Sequence, residues 1–194
     1  ASRSKPFTVH TYAIDSATGT LKPVSTAPLV ESFPYITLDK TGRYLLSASY
    51  GAGLVTVNAV GADGRVSGDA LQVIPTGRNA HSIITDRTNR YAFAPHLGTD
   101  QIFQFRFDAK TGKLTSNTPA TVQIKQGAGP RHIIISSDNK FAYLLNELTA
   151  VVTTLSLDAK TGLLKQVTEA SILAPDSKLK PGAARPSPGR DGSR

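Results

Sequence analysis

The chain contains no cysteine, no methionine and no tryptophan in its 194 residues. Without cysteine it can form neither a disulfide nor a thiolate metal site, and its redox compartment stays open. Without methionine, residue 1 is no initiator, so the chain is expected to be processed or cut from something longer, and no signal peptide is visible in what is present. No apolar run approaches the ~18 residues of a membrane span. The longest, around Ile133–Ile135 and Val151–Leu157, are strand-sized. Helical periodicity is missing over any stretch of a dozen residues, and no Asn-x-Ser/Thr sequon occurs. Gly51-Ala-Gly53 lacks the third glycine and the helix of a dinucleotide loop. There is no G-x-S-x-G. The four histidines, His10, His81, His96 and His132, are scattered and suggest no zinc site. No metal and no cofactor are expected.

Charge is present but has no pattern. The formal net charge is +8. The last twenty residues hold Lys178, Lys180, Arg185, Arg190 and Arg194 against Asp176 and Asp191. The rest of the excess is scattered between strands, with no helical stripe and no Lys/Arg block. This reads as a solvated surface rather than a nucleic-acid face, and neither nucleic acid nor membrane is an expected partner.

What the chain does have is a repeat. Asp39-Lys-Thr-Gly-Arg-Tyr-Leu-Leu-Ser-Ala-Ser-Tyr50, Asp86-Arg-Thr-Asn-Arg-Tyr-Ala-Phe-Ala-Pro-His96 and Ser137-Asp-Asn-Lys-Phe-Ala-Tyr-Leu-Leu-Asn-Glu147 each run from a polar turn through a basic residue and an aromatic into a strand. The aromatics, Tyr44, Tyr91 and Phe141, step by 47 and 50 residues. A second series interleaves with the first: Ile14-Asp-Ser-Ala-Thr-Gly-Thr-Leu21, Val60-Gly-Ala-Asp-Gly-Arg-Val66, Phe107-Asp-Ala-Lys-Thr-Gly-Lys-Leu114 and Leu157-Asp-Ala-Lys-Thr-Gly-Leu-Leu164. Its glycines, Gly19, Gly64, Gly112 and Gly162, step by 45, 48 and 50. Asp followed by Gly between alternating segments is a hairpin turn: Asp bonds its own backbone and Gly supplies the positive φ.

Each unit therefore reads as four short strands. In the third these are His81–Thr85, Arg90–Ala94, Gln101–Asp108 and Thr121–Lys125, rich in β-branched and aromatic residues. Four strands in a repeat of about fifty residues predict an all-β fold, a β-propeller of four-stranded antiparallel blades. The alternative is an all-β sandwich, but two independent motifs hold the same phase. The first unit lacks its inner pair, since Phe7–Ile14 and Leu21–Val24 already read as outer strands. About 3.5 blades are expected over residues 1–174. Residues 175–194, rich in Pro, Gly and charge, are expected to be disordered. An open arc leaves both ends unpaired, so the chain is expected either to bury them by self-association or to be poorly stable.

Two places break the repeat with unusual polar residues. Gly127-Ala-Gly-Pro-Arg-His132 leads into the innermost strand of the fourth unit, and Asn146-Glu147 ends the next strand. The equivalent lead-in of the third unit is Gly77-Arg-Asn-Ala-His-Ser82. Lead-ins to innermost strands lie beside a propeller's central channel, so His81, Arg131, His132 and Glu147 can converge there. Arg131 would stabilise an oxyanion or grip a phosphate or carboxylate, and His81 or Glu147 would move a proton. His132, Asn146 and His96 are read as substrate contacts. Each has a structural reading too. Arg131–Glu147 could be an inter-strand salt bridge, His81 a core histidine, His132 a hydrogen-bonding strand residue, and His96, after Pro95, a strand-end residue. His10 belongs to an outer strand.

Gly127-Ala-Gly-Pro-Arg-His132 followed by Phe141-Ala-Tyr-Leu-Leu-Asn-Glu-Leu148 resembles the hallmark of the bacterial 6-phosphogluconolactonase family, as do Tyr50-Gly-Ala-Gly-Leu-Val-Thr-Val57 and Asn79-Ala-His-Ser82. The resemblance spans residues 7–175 or so and implies a seven-bladed propeller of which this chain covers about half. It implies a lactonase that opens 6-phosphogluconolactone, a small sugar lactone, in the pentose phosphate pathway, without a cofactor. Family members are cytoplasmic, with exported forms among them; the cytoplasm is the expected compartment and periplasmic export stays open. The related fungal carboxymuconate cyclases use a His, an Arg, a Glu and a further downstream Arg in lactone chemistry. The first three match His81, Arg131 and Glu147. A muconolactone-forming cyclase and a non-catalytic binding propeller are the alternative functions.

Overall fold

The computed structural model describes residues 1–2 and 4–178, so the expectation of a disordered 175–194 lies, beyond Lys178, outside the described residues. The described residues form fourteen β-strands and no helix, and none of their segments is a helix long and apolar enough to cross a membrane. The strands build one two-stranded and three four-stranded sheets, every neighbouring pair antiparallel. Blade 1 is β1 (Thr8–Ile14) and β2 (Leu21–Pro28). Blade 2 is β3 (Tyr35–Leu38), β4 (Tyr44–Ser49), β5 (Leu54–Val60) and β6 (Val66–Pro75). Blade 3 is β7 (Ile84–Thr85), β8 (Tyr91–His96), β9 (Gln101–Asp108) and β10 (Lys113–Gln123). Blade 4 is β11 (Pro130–Ile135), β12 (Phe141–Asn146), β13 (Val151–Leu157) and β14 (Leu164–Ser171).

The expected four-strand repeat is present, with shifted bounds. The innermost strand of blade 3 is only β7. Before it the chain is held by an isolated Ala80–His96 bridge and a bond from His81 N–H to Pro95 C=O. The outermost strand, β10, begins at once after its turn and absorbs a bulge between Ser116 and Thr121, so it is longer than the run Thr121–Lys125.

Packing lies between blades rather than in one centre. One apolar cluster joins blades 1 and 2, a second blades 2 and 3, and a third blades 3 and 4. The two repeated motifs are the two halves of this joint. Tyr44 of blade 2 lies on the Asp108–Gly112 turn of blade 3, its hydroxyl donating to Lys110 C=O at 2.7 Å. Tyr91 of blade 3 repeats this on Asp158–Gly162 of blade 4, bonding Lys160 C=O at 2.5 Å. Each aromatic carries its preceding arginine across its face, Arg43 and Arg90.

A polar joint runs alongside. Asp39 takes Arg43 N–H and Tyr44 N–H on one carboxylate oxygen, and the Asn89 amide of the next blade on the other, at 2.7 Å. Asp86 does the same with Arg90, Tyr91 and Asn139. Burial pushes the Asp86 carboxyl up, but bonds from Thr88, Tyr91 and Asn139 outweigh it and hold the group below the usual carboxylate range. Its folded pKa is therefore below its unfolded one. The resulting stability is present above about pH 4 and is lost as pH falls through the folded value. Asp86→Asn should cost about 1–3 kcal/mol at pH 7, because an amide aims N–H donors at backbone N–H donors. The gap in thermal midpoint between wild type and variant should narrow on acidification below pH 4. A gap that stays constant down to pH 2 would refute the linkage.

Candidate active site

A strand alternates its side chains, so consecutive Arg131 and His132 should face opposite ways. They do not, because β11 is irregular at this point. Pro130 pairs with Asn146 and His132 with Leu145, leaving Arg131 without a partner. This bulge turns two neighbouring side chains toward one cavity. Fully buried Ser82, on the blade 3 lead-in, donates its hydroxyl to the Arg131 carbonyl at 2.8 Å and ties the bulge to the next blade.

The preceding glycines set the approach. The Asp100 carboxylate accepts Gly127 N–H at 2.8 Å and Gly129 N–H at 2.9 Å. Gly129, at φ +69°, packs so tightly that a Cβ would lie 2.6 Å from Leu148 Cγ. Its carbonyl accepts Glu147 N–H at 2.8 Å, and the Ala128 carbonyl accepts Leu148 N–H at 3.1 Å. The Gly-Ala-Gly-Pro-Arg-His and Asn-Glu-Leu motifs are thus two sides of one hydrogen-bonded joint. It delivers Arg131 and Glu147 to the same spot.

There, Arg131 Nε lies 2.9 Å from Glu147 Oε2 and donates to His81 Nε2 at 3.2 Å. Arginine can only donate, so His81 Nε2 is the acceptor and its ring proton sits on Nδ1. Burial, then the nearby Arg131 and His132, push the His81 pKa down to about 4, so the ring is neutral at pH 7. Its Nε2 is 3.9 Å from Glu147 Oε2. The terminal nitrogens of Arg131 bond to nothing among the described residues. His132 stands edge-on to His81, with ring centroids 5.1 Å apart, and 5.7 Å from the Tyr35 ring. Tyr50 meets His81 edge-on at 5.6 Å. These six side chains and Pro34 line a cavity of about 450 Å³.

A larger cavity of about 860 Å³ opens between blades 1 and 2, bounded mainly by Val9, Ile36, Leu38, Leu45, Val60 and Val66. The site is placed in the smaller one, because the charged and titratable groups converge there.

His81, Arg131, Glu147 and His132 therefore meet. His96 and Asn146 do not join them. His96 is fully buried within blade 3, with Nδ1 at 2.8 Å from Ala94 C=O, Nε2 at 2.7 Å from Thr76 Oγ1, and its ring against Phe103. Burial takes its pKa down to about 4. Asn146 is fully buried, its amide donating to Val151 C=O and Thr153 Oγ1. Neither side chain lines the cavity expected to take substrate: His96 reaches from blade 3 to Thr76 after β6, and Asn146 bonds within blade 4. Tyr35, Tyr50, Ser82 and Asp100 are the residues that motif reading passed over. Tyr50 and Ser82 lie in stretches already singled out in the sequence, but Tyr35 and Asp100 need the pairing of blades to be seen.

The comparisons with known proteins agree with the propeller fold. The family model "Lactonase, 7-bladed beta-propeller" matches residues 1–192. The 6-phosphogluconolactonase of Erwinia tasmaniensis is 40% identical over 127 residues, covering 66% of this chain and 38% of the relative. That of Serratia proteamaculans is 40% identical over 128 residues, with the same coverage. The periplasmic gluconolactonase of Pseudomonas aeruginosa superposes with a TM-score of 0.78 at 30% identity, over 89% of this chain and 52% of that one. The chain spans 38% of the length of these curated relatives and about half of the solved propeller. With the glycine–arginine–histidine joint in place and the family model matched almost end to end, the chain belongs to the seven-bladed β-propeller lactonase family.

Proposed function

We propose that the cavity at the inner end of blades 2–4 opens a sugar lactone to its aldonic acid, with 6-phosphogluconolactone as substrate. The observation that carries this is the placement of Arg131. Its inner nitrogen is anchored by Glu147 and His81. Its two outer nitrogens are left to donate to a developing oxyanion or to an anionic substituent. Glu147 supplies the countercharge and contacts the reacting water, and neutral His81 keeps the guanidinium in plane. Tyr35 and Tyr50 wall the cavity. The relatives named for this reaction supply the substrate.

The test is hydrolysis of 6-phosphogluconolactone and of unphosphorylated gluconolactone by the 194-residue chain, corrected for spontaneous opening. Turnover above background, faster on the phosphorylated substrate, is expected. A folded chain that gives only the background rate would overturn the reading.

Two halves of the blade joint have no counterpart among the described residues. Phe141, the third of the aromatic series, is 36% exposed where Tyr44 and Tyr91 are below 9%. Ile14 and Leu21, flanking the Gly19 turn, are 71% and 58% exposed, whereas Phe107, Leu114, Leu157 and Leu164 at the occupied turns are buried. We read these as pairing surfaces and expect the chain to self-associate through them. Sedimentation should show dimers that Phe141→Glu dissociates; a wild-type monomer at high concentration would refute this.

A further inference from the structure

Lactone opening moves one proton twice. The attacking water must lose it, and the ring oxygen must gain it when the acyl C–O bond breaks. The two bases expected from the sequence are both engaged. His81 Nε2 already accepts the Arg131 Nε–H, and its other nitrogen is buried and carries the ring proton. Glu147 lies 2.9 Å from the same guanidinium nitrogen, its charge matched by Arg131. One imidazole in the cavity stays free. His132 is half-buried, lines the cavity wall, and neither ring nitrogen has a hydrogen bond among the described residues. It is there only because the bulge at Arg131 overrides strand alternation. A strand device that re-aims two consecutive polar side chains serves the site rather than the sheet.

From this geometry we propose that His132 is the proton carrier of the site, a catalytic residue rather than only a substrate contact. The inference rests on the lactone-hydrolysis reading. Water adds to the lactone carbonyl carbon as its proton passes to the free nitrogen of His132. The tetrahedral oxygen develops its charge against the outer nitrogens of Arg131. The intermediate collapses, the bond from carbon to the ring oxygen breaks, and the same proton passes from His132 to that oxygen. The product is the hydroxy acid, and His132 ends neutral, as it began.

The groups that face His132 suit this cycle. Burial, then Arg131, hold its pKa below 6.5, while Glu147 pulls the other way. His81 and Tyr35 complete its surroundings from the blade 3 lead-in and from β3. His81 is neutral, and burial raises the Tyr35 phenol above its ordinary value, so it too is uncharged at pH 7. His132 is therefore neutral and able to accept a proton at pH 7. Glu147 steadies the imidazolium formed in mid-reaction.

The experiment compares the full chain with His132→Asn and His132→Ala on 6-phosphogluconolactone. Circular dichroism checks that each variant is folded. We expect kcat to fall about 10²- to 10⁴-fold with KM changed by less than about threefold. The wild-type rate should rise through an ionisation below pH 6.5 and then level off. In His132→Asn that limb should vanish and the residual rate should climb with hydroxide. Added imidazole should restore part of the His132→Ala rate, which a merely structural loss would not allow. If His132→Asn keeps its rate within threefold, or the acid limb persists, the proposal is overturned and the lactonase reading stands. A wild-type chain without lactonase activity would overturn both.

Discussion

Arg131→Ala should remove lactone hydrolysis from the chain, with kcat falling at least 10²- to 10³-fold, the scale of losing one preorganised oxyanion donor. Three consequences of the geometry add up here. The carbonyl oxygen loses the only cation among the described residues that line the cavity. Glu147 loses its partner at 2.9 Å and becomes a half-buried, uncompensated charge. His81 Nε2 loses its donor and is freed to change tautomer or gain a proton. Arg131→Lys should not restore the rate, because an ammonium is a point charge and cannot hold Glu147 and His81 on one nitrogen while presenting two others. Glu147→Ala should fall with it, since Arg131 then has no carboxylate to anchor it. Thermal midpoints should move by only a few degrees in each case, because the pair is partly solvated and lines the cavity rather than an apolar cluster between blades. Unchanged hydrolysis in both Arg131→Ala and Glu147→Ala would remove these residues from the mechanism.

How much of this was legible in the sequence follows from which forces are local. The Asp-x-x-x-Gly turns are set by a few adjacent residues: Gly19, Gly112 and Gly162 all take φ between +70° and +76° and bond back to the aspartate four residues earlier. The repeat period was readable because each joint needs the same aromatic and the same turn. Strand bounds were less readable. β7 shrinks to two residues because bonds from the Ala80 and His81 backbone replace ladder pairing, and nothing in Ala-His-Ser-Ile announces that. Within the candidate site, His81, Arg131, His132 and Glu147 could be named because their motifs interrupt the repeat. His96 and Asn146 interrupt it as well, yet they turn inward. At a strand end, one register step decides whether a polar group meets the cavity or the neighbouring sheet. Thr76 and Thr153, whose hydroxyls bond His96 Nε2 and the Asn146 amide nitrogen, are remote enough or plain enough to give no warning. The Ser82 and Asp100 contacts cross blades or loops 27 to 49 residues apart and become visible only in three dimensions.

The largest effect on stability should come from a single methyl group at Gly162. Gly162 and Gly19 occupy the same place in the same turn at the same φ, +70°. A Cβ on Gly19 would meet nothing within 4 Å, whereas on Gly162 it would lie 2.0 Å from Tyr91 Cδ1 and 2.3 Å from Cγ. The Tyr91 ring cannot swing aside, because its hydroxyl is held by Lys160 C=O and Arg90 lies across it while bonding Ala159 C=O. Gly19→Ala thus costs only the left-handed backbone term, about 1–2 kcal/mol. Gly162→Ala adds overpacking of a further 1–3 kcal/mol or so, and should lower the thermal midpoint by roughly 5–15 °C, several degrees more than Gly19→Ala. The two costs can be separated by a cycle. In a Tyr91→Ala background the clash has no second party, so Gly162→Ala should then cost no more than Gly19→Ala does in the wild type. Equal losses at the two glycines, or a Gly162→Ala cost that ignores Tyr91, would mean that the aromatic does not clamp blade 3 to blade 4. The repeat would then be only a pattern of turns. The predicted difference makes it the joint that transmits rigidity from the outer hairpins to the cavity, since the same two blades carry His81, Arg131 and Glu147.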